Sequence, residues 1–364
     1  MNKILLATAI VATMACGSAL AQSGVTLYGN VDASVVTASG IGTASERRNS
    51  FGEGNWAPSV WGVKGTEDLG GGMRAHFRVE GGFSSANGAI ANGGTTGLFS
   101  RQANVGVSGV FGSVTAGLNQ SPFIAAYTST LGLAGQNFYV PALLLHRDGS
   151  VLNSVLAPVP AFPGGADGDP SLGTTGGFFI PNSVTYSLPS EMLGGVTASV
   201  MYGFGGAPGE SGRNRFVSGN VGYAFGDLNI VAAASDRDAQ YKQYLIGASV
   251  PIGQFKLAAN LIRFNPEIGG SSNTWVVGAH MKMMPNASIG VNYARNGSTG
   301  DPSIINLSAV YALSKTTNLY AVFNRGTDGA PSSYSGSVDA TANPTTLAQT
   351  GSSNAVILGI QKGF

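Results

Sequence analysis

The sequence is short of cysteine, charge and long apolar runs, and each shortage removes a class of protein. Its single cysteine, Cys16, lies within the first 21 residues, so the remainder has no thiol for a disulfide framework or a thiolate metal site. Charged residues make up 10% of the 364, with 19 Lys and Arg against 18 Asp and Glu; a soluble domain carries about 25%. A net charge of +1 lacks the basic footprint of a nucleic-acid binder. After residue 21 no apolar run approaches the roughly 18 residues of a spanning helix. Enzyme signatures are missing as well. His76, His146 and His280 stand in separate segments without metal-ligand spacing, and there is neither a Gly-Lys dipeptide for a phosphate loop nor a Gly-x-Ser-x-Gly elbow. No catalytic residue, metal or cofactor is expected.

Residues 1–21 combine Lys3, an apolar run over 4–15 and the small-residue site Ala19-Leu20-Ala21. This reads as a secretory signal peptide, its apolar run being too short to cross a bilayer. A lipidated Cys16 is disfavoured because Thr13-Met14-Ala15 matches a bacterial lipoprotein signal poorly. Residues 22–364 then form one domain.

What the chain has in quantity is glycine, 55 residues, and alternation. From Val25 to Val35 apolar side chains alternate with polar ones, the pattern of a strand with one apolar and one polar face. Comparable segments are expected at 25–37, 58–67, 73–83, 99–109, 112–118, 182–188, 196–204, 215–225, 228–235, 241–250, 255–264, 274–282, 287–295, 306–313, 317–325 and 355–364, sixteen in all. Nothing between them reads as an amphipathic helix or a second layer that would cover the apolar faces. Connections alternate between seven short turns and eight long loops rich in Gly, Ser, Asn and Pro. That asymmetry predicts an all-β fold, a 16-stranded antiparallel transmembrane β-barrel with short periplasmic turns and long extracellular loops. Aromatics near segment ends (Tyr186, Tyr202, Phe204, Tyr223, Phe225, Phe255, Phe264, Trp275, Tyr293, Tyr311 and Tyr320) suggest two interfacial girdles.

The third long connection, 119–181, holds Pro122, Pro141, Pro158, Pro160, Pro163, Pro170 and Pro181, so neither a long helix nor a central strand is expected through it. Alternation also names the water-facing wall. Arg74, His76, Arg78 and Glu80 face inward opposite Met73, Ala75, Phe77 and Val79; Lys64 faces inward, and Asp32 joins Asn30 on the polar side of the first strand. Asp148, Asp167 and Asp169, with Arg147, belong to the long loop. Alternation with Ala103, Val105 and Val107 would point Arg101 outward.

Several stretches resemble the general porin family of beta-proteobacteria: the opening Val25-Thr26-Leu27-Tyr28-Gly29-Asn30-Val31-Asp32, the turn Lys64-Gly65-Thr66-Glu67-Asp68-Leu69-Gly70-Gly71-Gly72, Arg101-Gln102-Ala103 with Gly109-Val110-Phe111-Gly112, and Asn182-Ser183-Val184 with Tyr186. The resemblance implies a homotrimer in the outer membrane of a Gram-negative bacterium, bathed in lipid and lipopolysaccharide. Each protomer would be a water-filled pore for small hydrophilic solutes and ions, narrowed by an inward-folded third loop. It also implies an inward Arg101, and an insertion-machinery signal in Phe364 with Ile360 and Leu358. The chain departs from the family at Val60, where an Arg is expected, and at Ile180-Pro181, where a base is expected. Two other readings stay open: a surface-interaction barrel plugged by the apolar Leu143-Leu144-Leu145 and Phe178-Phe179-Ile180, and an outer-membrane hydrolase with His280 on the outer wall as its base.

Overall fold

The computed structural model describes residues 24–41, 46–52, 54–91, 97–131, 178–189, 194–205, 212–238, 240–267, 270–297, 301–327 and 352–364. The signal segment, Leu143 to Leu145, Arg147, Asp148, Asp167 and Asp169 lie outside them. The strands are β1 (Gly24–Ile41), β2 (Glu46–Gly52), β3 (Val60–Gly70), β4 (Met73–Phe83), β5 (Ile90–Ala91), β6 (Gln102–Gly109), β7 (Gly112–Gln120), β8 (Phe179–Ser187) and β9 (Val196–Gly203). They continue as β10 (Phe216–Phe225), β11 (Leu228–Arg237), β12 (Tyr241–Ile252), β13 (Phe255–Pro266), β14 (Ser272–Met284), β15 (Ala287–Asn296), β16 (Ser303–Ser314), β17 (Thr317–Thr327) and β18 (Ser353–Gly363). Two are short: β2 pairs with the upper part of β1, and β5 adds two residues beside the end of β4. The other sixteen form a closed antiparallel barrel, sealed where β1 pairs with β18 on one side and β3 on the other.

Alternation decides which face meets lipid. Val25 (68% exposed), Leu27 (61%), Val105 (61%) and Leu358 (58%) point outward, whereas Asn292, Asn306 and Asn324 are buried inside. These three asparagines lie in register across β15, β16 and β17, and each amide donates to the next (3.4 and 2.6 Å). At the short turns, Gly226 (φ 57°) and Gly253 (φ 62°) supply the left-handed conformation that a two-residue hairpin requires.

Two elements were not foreseen. A helix, α1 (Pro122–Leu131), follows β7 inside the third long connection; Pro122 sits at its first position, where a missing N–H costs nothing. The first long connection contains β2. Two expected girdle aromatics also turn inward: Phe264 is 3% exposed and lies tilted against Tyr241 (centroids 5.5 Å), and Tyr320, 4% exposed, stacks on Trp56 (5.5 Å). Both occupy the inward phase of their strands, so the wall imposes their side. The pairs Tyr202–Phe204 (5.0 Å) and Trp275–Tyr293 (5.2 Å) stand toward the long-loop end.

The barrel interior is not uniformly polar. One apolar patch, Val231, Ala233, Leu245, Ile262, Val276, Ala294 and Ile304, is covered by Phe123, Ile124, Ala126 and Tyr127 of α1 with Phe178 and Phe179. A second, formed by Val36, Tyr320, Val322, Ala355 and Ile357, is covered by Trp56. Loops that fold into the lumen thus dock on apolar wall.

Candidate pore constriction

The roots of the third loop are tied to the wall and to each other. Ser121 N donates to Phe178 O (2.8 Å), Asn119 Nδ2 to Ser183 O (3.2 Å), and Asn220 Nδ2 to Pro122 O (2.7 Å). The β7–β8 register slips between Gly117 and Asn119. The slip and the left-handed Asn182 (φ 50°) carry Pro181 within β8; a bulge is one of the few strand settings that accept proline. Further along α1, Thr130 Oγ1 donates to Asn260 Oδ1 on β13 (2.8 Å). Tyr127 is 1% exposed, and burial pushes its hydroxyl pKa well above the usual tyrosine value, so it stays neutral. Phe178, Phe179 and Ile180 are all buried against the wall, which removes this half of the apolar argument for a plugged pore.

Beside these roots a charged cluster gathers on β1, β3, β4 and the bend before β6. Glu80, 3% exposed, accepts from Arg78 Nη2 (2.5 Å), Arg101 Nε (2.7 Å) and the Tyr28 hydroxyl (2.8 Å). Arg78 Nε also donates to the Tyr28 oxygen (2.6 Å). Lys64 Nζ lies 5.3 Å from the Tyr28 ring centroid, and the Arg101 guanidinium 4.7 Å from that of Phe179. Tyr28 can lie flat across β3 because residue 62 is glycine; a Cβ there would come within 2.7 Å of the tyrosine oxygen.

Arg101 corrects the outward reading from alternation. It sits at a bend one residue before β6, where strand phase does not apply, and its N–H donates to Glu80 O (3.1 Å). Lower on β4, His76 Nε2 meets Thr115 Oγ1 (3.2 Å), and Arg74 is exposed near the short β3–β4 turn. Lys64, Arg78, Glu80 and Arg101 therefore form one group, with Tyr28 and Phe179 as partners that sequence reasoning missed; Arg74 and His76 descend from it toward the periplasmic rim.

Asp32 does not face water. It is 0% exposed, and its carboxylate accepts from Asn55 N (3.2 Å), Trp56 N and Ala57 N (both 3.3 Å) and the Tyr320 hydroxyl (2.8 Å). The aspartate anchors the inward first loop. Its inward phase was legible, but the loop that covers it was not. Asp32→Ala removes four accepted bonds and should destabilise the protein by roughly 3 kcal/mol. Hydrogen exchange at the Trp56 and Ala57 amides should rise sharply; unchanged protection there would refute the anchor.

His280 stands in the inward phase of β14, directly across from Lys256 on β13 and two residues from Lys282. It is not on the outer wall, which removes the geometry a lipid hydrolase would need. The three bases form a second inward basic group toward the short-turn end. Their common phase with Asn260 and Thr274 was the signal available in the sequence.

A barrel of this form with an inward loop and a basic cluster at its root has close parallels. The family described as Gram-negative porin matches residues 7–330. The chain belongs to that family. It is 30% identical over 343 residues to outer membrane porin protein 32 of Delftia acidovorans, a match covering 88% of each chain. Over 119 residues it is 40% identical to an outer membrane porin protein of Bordetella pertussis, 29% of this chain and 30% of that one. The anion-selective porin from Comamonas acidovorans superposes with a TM-score of 0.68 at 25% identity, covering 94% of this chain and 100% of that one. OmpF of Salmonella typhi shares the fold (TM-score 0.60, 13% identity, 93% and 97% coverage). This porin is an outer-membrane diffusion channel and not an enzyme.

Proposed function

We propose that this porin works as a homotrimer of separate pores, each passing small hydrophilic solutes and ions with a modest preference for anions. The observation that carries the preference is the cluster at the loop root, where, among the described residues, the three bases Lys64, Arg78 and Arg101 gather about Tyr28 and one carboxylate, Glu80. In a narrow channel such a cluster sets a local field that biases ion choice. Lys256 and Lys282 add positive charge on the way to the periplasm, and the Comamonas relative is described as anion-selective. The losses at Val60 and Ile180-Pro181 keep the preference modest. A trimer form of the Vibrio cholerae OmpT barrel supports the assembly. Residues 1–21 would be removed on export, leaving 22–364 as the barrel, with 119–181, which holds Asp148, Asp167 and Asp169, as its constricting loop. Phe364, Ile360 and Leu358 point outward on β18 and its end (56, 44 and 58% exposed), a display suited to the insertion machinery.

Purified protein in a planar bilayer should give conductance steps grouped in threes. In a tenfold salt gradient the reversal potential should have the anion sign and fall well short of the ideal of about 59 mV. Folded trimers without conductance would sink the pore reading, and a cation sign would sink the preference alone.

A further inference from the structure

Every base of the constriction cluster lies against an aromatic ring. Lys64 Nζ and the Arg78 guanidinium stand 5.3 and 5.2 Å from the Tyr28 ring centroid, and the Arg101 guanidinium stands 4.7 Å from that of Phe179. Three bases thus share two rings, while among the described residues one acid, Glu80, pairs with two of them.

The two rings differ in what holds them. Tyr28 belongs to the wall: it lies within the stretch of β1 that pairs with β3, and its hydroxyl is bonded to Glu80 and to Arg78 Nε. Phe179 opens β8 at the exit of the third loop. Its partner across the ladder is Gln120, beyond the register slip of β7, and the carbonyl of the preceding Phe178 accepts from Ser121 N. The Phe179 side chain is buried in the apolar cluster that Phe123, Ile124 and Tyr127 of α1 form on the barrel wall. Phe179 is therefore the place where the docked loop meets the charge cluster.

Arg101 needs such a surface. Among the described residues its side chain is bonded to Glu80 through Nε (2.7 Å); a bidentate pair would fix the guanidinium plane, whereas a single bond lets it swing. A ring against its face removes that freedom, and the contact is strengthened because little water reaches it, the Arg101 side chain being 17% exposed. Arg78 is held differently, since Nε and Nη2 engage Tyr28 and Glu80, both fixed to the wall. Of the three bases, Arg101 is the one whose ring comes from the loop.

We infer that Phe179 is a positioning residue for ion choice. Its ring holds the Arg101 guanidinium at one place on the pore wall, so the docking of the third loop sets the selectivity of the pore as well as its width. This deepens the proposed anion preference and rests on it for the sign of the effect.

The test is a double-variant cycle read as reversal potential in a gradient of dilute salt, where screening is weak. Phe179→Leu keeps an apolar side chain in the cluster without a ring face, and Arg101→Lys keeps the charge without the flat guanidinium. Each alone should shift the potential toward cations, by less than Arg101→Gln does. Together they should shift it no further than the larger single shift, since both remove the same contact. Phe179→Tyr, which keeps a ring face, should hold the parent value. Additive shifts would show that Phe179 acts through packing alone and would overturn the inference, as would a parent-like potential in either single variant. Phe179→Met takes the place of Phe179→Leu in the cycle if the leucine variant lacks the heat-modified mobility of a folded barrel. The parent's own sign tests the anion preference, whereas the cycle measures displacement from the parent and so tests this inference separately.

Discussion

Phe123→Ala combined with Ile124→Ala should release the third loop from the barrel wall and raise the unit conductance while the barrel stays folded. Phe123 and Ile124 are 3% and 2% exposed and belong to the buried apolar cluster whose wall residues come from β11 to β16. Truncating a buried Phe costs about 3–5 kcal/mol and a buried Ile about 2–5. The two are neighbours, so their effects will not simply add. Even the smallest figure, about 2 kcal/mol, shifts the docking equilibrium by more than one order of magnitude. Once undocked, a ten-residue helix has little stability of its own, and what remains are tethers such as Thr130 to Asn260 and Asn220 to Pro122. Single-channel recording should show larger, noisier openings, while heat-modified mobility in detergent stays that of a folded barrel. Parent-like conductance in a folded double variant would show that α1 is not held by its apolar contacts.

That contact also shows where sequence reading stopped. The sixteen wall strands were legible because a lipid-facing side chain must be apolar and its neighbours must not, so Val25, Leu27 and the Ala103, Val105, Val107 series declare their phase. The inward phase is less constrained. Val231, Leu245, Ile262 and Val276 are apolar on both counts of the pattern, and only the docked helix explains them. Short-range chemistry could not reveal α1, since seven prolines marked its segment as irregular and the one at 122 in fact begins the helix. Arg78 and Glu80 were found because they sit mid-strand. Arg101 was misplaced by alternation because it precedes β6 at a bend, and Asp32 could not be told from a wetted wall charge until residues 55–57 were seen to close over it. Local periodicity therefore gives the wall and its phase, whereas contacts separated by tens of residues give the loops that decide passage.

Glu80 is the charge on which ion choice should turn. Glu80→Gln leaves a side chain of the same size while removing the one carboxylate that, among the described residues, pairs with Arg78 and Arg101. The cluster then presents three positive charges without its paired acid, and the reversal potential should move further toward anions. Arg101→Gln should move it the opposite way, toward cations, since it removes a base and leaves Glu80 with Arg78 and Tyr28. The structural cost of Glu80→Gln should stay near or below about 3 kcal/mol, the low end for breaking a buried pair, because Arg78 is 41% exposed and can turn to water. Salt provides an internal control: the screening length is about 10 Å at 0.1 M and about 3 Å at 1 M, so the two shifts should be large in dilute salt and fade in concentrated salt. Opposite displacements around the parent that shrink together would place ion choice at this cluster. Displacements of the same sign, or none at 0.1 M, would move it elsewhere in the pore, with Lys256 and Lys282 on the inner wall the next residues to exchange.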